Sequence, residues 1–134
     1  MTPSPSQTKA LITHALSARA HAYAPYSHFS VGAAVMAADG RIFSGCNVEN
    51  ASYPAGLCAE RCAVGAAVAA GVRDFLAIAV VGSGEDYTTP CGICRQVLQE
   101  FGVPLVICAK TTEDYSIIQG ETLLPHAFGA ASLK

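Results

Sequence analysis

Charged side chains are scarce in this 134-residue chain: Asp, Glu, Lys and Arg make up 13%, about half of the ~25% usual in soluble domains. So few charges coat a monomer poorly, which points to faces buried between subunits. The formal net charge is −2, so there is no electrostatic footprint for a nucleic acid or an anionic membrane. Long apolar runs are missing too. The longest, around Cys62 to Val72, is Ala-rich and well short of the roughly 20 residues that span a bilayer. The N-terminus, MTPSPSQTKA, lacks a basic segment followed by an apolar one. No secretory signal is read there, and the cytoplasm is the expected location.

Apolar content is high, at 51%, which excludes a disordered chain. The length suits one domain over residues 1–134, large enough to bury about two-thirds of its unfolded surface. Six cysteines are present: Cys46, Cys58, Cys62, Cys91, Cys94 and Cys108. A reducing compartment disfavours a disulfide framework, so clustered cysteines point to metal binding or redox chemistry.

Residues 1–6 are polar and proline-bearing and read as a frayed end. Helical spacing of apolar positions runs from Gln7 to Ala22, and Pro25 breaks it. Ser30–Ala37 and Arg41–Val48 read as strands joined at Asp39-Gly40, a strong hairpin signal. A helix follows from Cys58 to Ala70, stopped by Gly71, then an apolar strand over Phe75–Val81. A second helix spans Cys91–Phe101, and strands Val103–Ala109 and Tyr115–Gln119 come next. Glu121–Phe128 reads as a short terminal helix or turn. Two strand–helix–strand units imply a parallel core beside an antiparallel hairpin. Only Lys110–Asp114 joins the last two strands, too few residues for a parallel crossover, so that pair is expected to be antiparallel.

Cys58-Ala59-Glu60 and Pro90-Cys91-Gly92-Ile93-Cys94 carry the chemistry. Zinc takes thiolate ligands in tetrahedral geometry, and three protein ligands leave one position for water, the catalytic pattern. Cys91 and Cys94 at a helix start place two sulfurs on one side of a turn, and Cys58, at another helix start, can add a third. Helix N-termini favour thiolates. Glu60, two residues after a ligand, can carry a proton between water and a substrate nitrogen without binding the metal. Other readings stand beside these. Cys91 and Cys94 alone suit a redox pair, and Cys62, one turn after Cys58, is the candidate fourth ligand of a structural site. Glu60 suits a first-turn helix carboxylate, and Asn47 and Glu49 suit turn formers. Phe29, Tyr53 and Phe128 suit core or interface positions. Arg95 and Gln96 read as loop-ordering or interface residues. His14, His21, His28 and His126 match no ligand pattern. Cys46 and Cys108 read as core packing. Gly65, inside the Ala-rich helix, suggests a close helix approach.

The cysteine and glutamate pattern is the zinc-deaminase signature in its three-cysteine form. The segments PYSHFSVGAAV (25–35), GCNVENASYP (45–54), LCAERCA (57–63), PCGICRQVLQEFG (90–102) and LLPHAFG (123–129) resemble the short, homotetrameric cytidine deaminases of pyrimidine salvage. The resemblance implies a three-layer α/β/α sandwich around a mixed five-stranded sheet. It implies hydrolytic deamination of free cytidine and deoxycytidine, with one zinc per chain held by Cys58, Cys91 and Cys94. Glu60 would protonate N3 and then the departing amine as activated water attacks C4. Asn47 and Glu49 match ribose-binding residues, and Phe29 and Ala59 match residues of the substrate pocket. Tyr53 and Phe128 match aromatics where subunits meet, Phe128 covering the base in a neighbour's site. Three thiolates leave zinc at net charge −1, a poor Lewis acid unless something positive offsets it. Arg61, one turn after Cys58, matches an arginine that hydrogen-bonds the ligating sulfurs. The antiparallel last pair matches enzymes of free nucleosides rather than of RNA or DNA. Competing readings are a deaminase of a cytosine-bearing antibiotic such as blasticidin S, and a non-catalytic zinc-binding or redox module.

Overall fold

The computed structural model describes residues 1–134. Helix α1 (Pro5–Arg19) leads into strands β1 (Val31–Ala37) and β2 (Ile42–Cys46), helix α2 (Ala59–Ala69), β3 (Phe75–Gly82), helix α3 (Gly92–Glu100), β4 (Leu105–Ala109) and β5 (Tyr115–Gln119). The five strands form one mixed sheet in the order β2-β1-β3-β4-β5. The α/β/α sandwich expected from the resemblance is present. Leu11, Ile12 and Ala15 of α1 pack on one face, against Ala34, Met36, Ala77, Ala79 and Ile107. Ala59, Ala63, Val64 and Ala67 of α2 and Leu98 of α3 pack on the other, against Ala33, Val35, Ile78, Val80 and Val106.

Several sequence expectations are corrected. Residues 4–6 are not frayed: Ser4 caps α1 in a reciprocal box with Gln7, and Pro5 occupies the first turn, where its missing N–H is harmless. The helix ends at Arg19 rather than Ala22 because Tyr23 is drawn into a bridge with Val48. Tyr23 N–H donates to the Asn47 carbonyl at 3.0 Å, and Glu49 N–H donates to the Tyr23 carbonyl at 2.9 Å. Of the two readings of the 121–128 segment the turn holds, as a 3-10 turn over Gly120–Thr122. The core is less parallel than expected. Only β3 and β4 pair in parallel, because β1 lies antiparallel between β2 and β3. The last hairpin is antiparallel, as its short connector requires.

This topology places the site. Strands β2 and β3 run the same way, with β1 reversed between them. The end of β2, the end of β3 and the start of β1 therefore lie at one edge of the sheet. Both α2 and α3 start from that edge, the usual place for a ligand in α/β sheets. Two glycines let the helices sit close. A Cβ on Gly32 would lie 1.9 Å from the Ala15 carbonyl oxygen of α1. A Cβ on Gly45 would lie 2.6 Å from Ala63 N and 2.8 Å from the Ala59 carbonyl oxygen of α2. Gly65, in contrast, meets nothing within 4 Å in this chain, so no close approach within the subunit explains it. Gly32→Ala is expected to lower unfolding stability by about 1–3 kcal/mol, because rigid backbone must move. Urea denaturation with an unchanged slope checks this.

Candidate metal centre and substrate cavity

The N-termini of α2 and α3 converge. Cys58 and Cys91 are the two N-cap residues, and neither side chain caps its own helix. Their sulfurs lie 3.6 Å apart, and with Cys94, in the first turn of α3, all three sulfurs fall within 4.8 Å of one another. No histidine joins this group, and neither does Cys62. Cys62 packs instead toward β2, where its Cβ would lie 2.6 Å from a Cβ on Gly45. The fourth-ligand reading of Cys62 is thereby corrected: its place on the helix turns it to the sheet. Cys108 is fully buried in β4 and its thiol is pushed up to about 11 by burial, as suits core packing.

Electrostatics at the cluster favour a thiolate at Cys58. The Cys58 thiol is brought well down, first by a hydrogen bond from Cys94 and then by those from Arg61 and Cys91, while the donating Cys94 thiol is pushed up in turn. Arg61 Nη2 stands 3.8 Å from Cys58 Sγ and donates to the Gly56 carbonyl at 3.3 Å. Its Nε is buried with no hydrogen-bond partner. Three soft donors, two helix N-termini and a nearby guanidinium fit a single zinc ion.

Beside the sulfurs lies a cavity of ≈ 280 Å³, lined by Phe29, Asn47, Glu49, Cys58, Ala59, Glu60 and Cys91 among others. The structure thus brings together the sequence candidates for metal, proton transfer and most of the substrate contacts. Glu60 is only 4% exposed. Burial pushes its carboxyl up to about 7, and negative charge on Cys58 adds to the shift. Asn47 is buried, and its amide clamps the strand entry. Its Oδ1 accepts from Val31 N–H at 2.9 Å and its Nδ2 donates to the Phe29 carbonyl at 2.8 Å. Glu49 accepts from the backbone N–H groups of Tyr26 and Ser27 at 3.0 and 3.1 Å. These bonds and the Ser27 hydroxyl hold its carboxyl below the usual range.

Two candidates lie outside this cavity. Tyr53, 76% exposed, lines an adjoining hollow with Tyr26, Ser27 and Glu49, its ring edge-on to Tyr26 at 6.0 Å. Phe128 is 61% exposed, and only its carbonyl is engaged, by Gln96 Nε2 at 2.7 Å. Arg95 orders loops, donating to the Pro90 carbonyl at 2.8 Å and the Leu123 carbonyl at 3.1 Å. Sequence reasoning did not single out Ser27, Thr88 or Thr89, which also line the cavity. Hydroxyl residues in loops carry no spacing signal; only their place at the sheet edge reveals them.

A carboxyl of 4.5 in the unfolded chain and about 7 when folded holds its proton more tightly in the folded protein. Its burial therefore costs little below the unfolded value, and stability is lost as pH rises toward the folded one. Metal-free Glu60→Gln protein is expected to exceed metal-free wild type in stability at pH 8, by on the order of 3 kcal/mol. The gap should narrow at pH 5, as urea denaturation at the two pH values checks.

The family model described as the cytidine and deoxycytidylate deaminase zinc-binding region matches residues 5–110. A cytidine deaminase of Sporosarcina psychrophila is 46% identical over 125 residues, covering 92% of each chain. The crystal structure of cytidine deaminase from Burkholderia pseudomallei superposes with a TM-score of 0.83 at 51% identity, covering 89% of this chain and 97% of that one. The corresponding Mycobacterium tuberculosis structure gives 0.76 at 43% identity, covering 90% and 95%. The sulfur cluster, the buried glutamate beside it and these matches lead to one conclusion: the chain belongs to the zinc-binding cytidine and deoxycytidylate deaminase family.

Proposed function

We propose that this enzyme hydrolyses the exocyclic amine of cytidine and deoxycytidine, giving uridine or deoxyuridine and ammonia. The observation that carries the reading is the cavity in which Cys58 and Cys91, two members of the three-sulfur cluster, meet the buried Glu60 carboxyl. Cys58, Cys91 and Cys94 hold the zinc, one per chain. When bound, zinc supplies the Lewis acidity that makes water a nucleophile near neutral pH. Glu60, whose carboxyl is pushed up by burial, takes a proton of the attacking water. It delivers that proton to N3 of the base, then takes the second proton of the same water from the new C4 hydroxyl and gives it to the amine, which leaves as ammonia while the C4 carbonyl forms. Arg61 offsets the sulfurs' charge. Phe29 and Ala59 flank the base, and Asn47 and Glu49 meet the sugar hydroxyls.

The enzyme acts as a homotetramer, with Tyr53 and Phe128 at subunit contacts. The support is the exposure of large apolar side chains, Val48, Tyr53, Leu57, Ile93 and Phe128 among them, on a chain with few charges. Free nucleosides are the substrates, and a negative net charge speaks against nucleic acid. A cytoplasmic location suits six free thiols, and no helix is long and apolar enough to cross a membrane.

Glu60→Gln is expected to keep about one zinc per chain and to lose activity by about 10²–10⁴-fold. Cytidine turnover without Glu60 would remove its assigned role. Arg61→Gln should retain most of its zinc yet turn over about 10–100-fold more slowly. Metal analysis beside an absorbance assay for cytidine loss reads both variants.

A further inference from the structure

Ser27 lies in the loop before β1, and its hydroxyl is engaged on both sides. Phe29 N–H, which can only donate, donates to Ser27 Oγ at 3.0 Å. The single hydroxyl proton is therefore free to point only the other way, to Glu49 Oε2, and the structure places those two atoms in hydrogen-bond contact. The same carboxylate accepts the Tyr26 and Ser27 backbone N–H groups on Oε1. A carboxylate has about four acceptor positions. Three are taken, so one remains for a ligand, on the oxygen that Ser27 holds.

The loop geometry reinforces this. His28 sits between Ser27 and Phe29 at φ +56°, a left-handed conformation uncommon for a side-chain-bearing residue. That bend turns Ser27 Oγ back to Phe29 N–H. The Phe29 carbonyl is held in turn by Asn47 Nδ2. Ser27, Phe29, Asn47 and Glu49 all line the one cavity.

We propose that Ser27 is a positioning residue for sugar recognition: its hydroxyl fixes the Glu49 carboxylate so that one acceptor position faces a substrate hydroxyl. The inference rests on the deaminase reading above. It assigns Ser27 no part in the proton transfers at Glu60. Its effect must therefore appear in binding, and only with a substrate that carries the hydroxyl.

The test compares wild type, Ser27→Ala, Glu49→Gln and the double variant on cytidine and on 2′,3′-dideoxycytidine. Zinc content and thermal midpoint are measured for each. Ser27→Ala is expected to raise KM for cytidine about tenfold, the loss of one hydrogen bond to a charged group. Its kcat should stay within about twofold, and kcat/KM for the dideoxy substrate should change by less than about twofold. The double variant should be no worse on cytidine than Glu49→Gln alone. An equal loss on both substrates, a fall in kcat alone, additive losses in the double variant, or no loss on cytidine would each overturn the proposal. If Ser27→Ala fails to fold, Ser27→Cys carries the same comparison, since a thiol donates weakly. Wild-type protein that leaves cytidine untouched would instead overturn the deaminase reading itself, and the Ser27 assignment with it.

Discussion

Three sulfurs within 4.8 Å of one another are the constraint around which this chain is arranged. Bringing thiolates together is unfavourable without positive charge, and the fold supplies it from several directions. Two helix N-termini point at the cluster, and the Arg61 guanidinium stands beside it. Each helix must begin at the cluster and still pack on the sheet. Gly45 permits this for α2, since any Cβ there would meet the helix backbone. The same packing buries Glu60, so the force that closes the core also lifts its carboxyl toward neutrality. Stability is given up at this residue, in the manner of functional sites generally.

The antiparallel insertion of β1 between β2 and β3 matters more for the site than the parallel pair does. Were β1 parallel to its neighbours, its N-terminal end would lie at the far edge of the sheet. Ser27, Phe29 and Val31 would then be remote from Cys58 and Cys91. With β1 reversed, Val31 pairs with Gly82 and Gly32 with Cys46, so the loop before β1 faces the loops after β2 and β3. The cavity wall is thus assembled from segments distant in sequence, with side chains that lock one another. Asn47 of the β2 loop clamps the backbone at both Phe29 and Val31.

Most elements and the metal-capable cysteines were legible because local chemistry determines them. Asp39-Gly40 marks a hairpin, Gly71 ends a helix, and Cys91-x-x-Cys94 reads the same in any surroundings. The short Lys110–Asp114 connector was enough to orient the last pair. Pairing of β1 with β3 was not legible, because a strand–helix–strand order is also satisfied when a reversed strand lies between the two parallel ones. The end of α1 was hidden for a similar reason: alanines to Ala22 favour helix, but the Tyr23–Val48 bridge is a long-range contact that outweighs propensity. The start of α1 was misread because the prolines masked Ser4 as a cap.

Site residues divide along the same line. Cysteines and a glutamate declare themselves by type and spacing, whereas Asn47, Glu49 and Ser27 act through hydrogen bonds that exist only after the sheet forms. Glu49 shows why residue type alone understates a role. A turn-forming carboxylate and a ligand-binding carboxylate are alternatives in a sequence. Here two backbone donors and a hydroxyl from Tyr26 and Ser27, in the loop before β1, hold the carboxylate while it still lines the cavity. This grip by a neighbouring loop is what gives the carboxylate a fixed direction. Flexible carboxylates must lose rotamer freedom on binding a hydroxyl, and one already held by its loop has lost it on folding. Glu49 is therefore a long-range clamp rather than a local turn former, and the hydrogen bonds that order the loop before β1 also prepare the pocket.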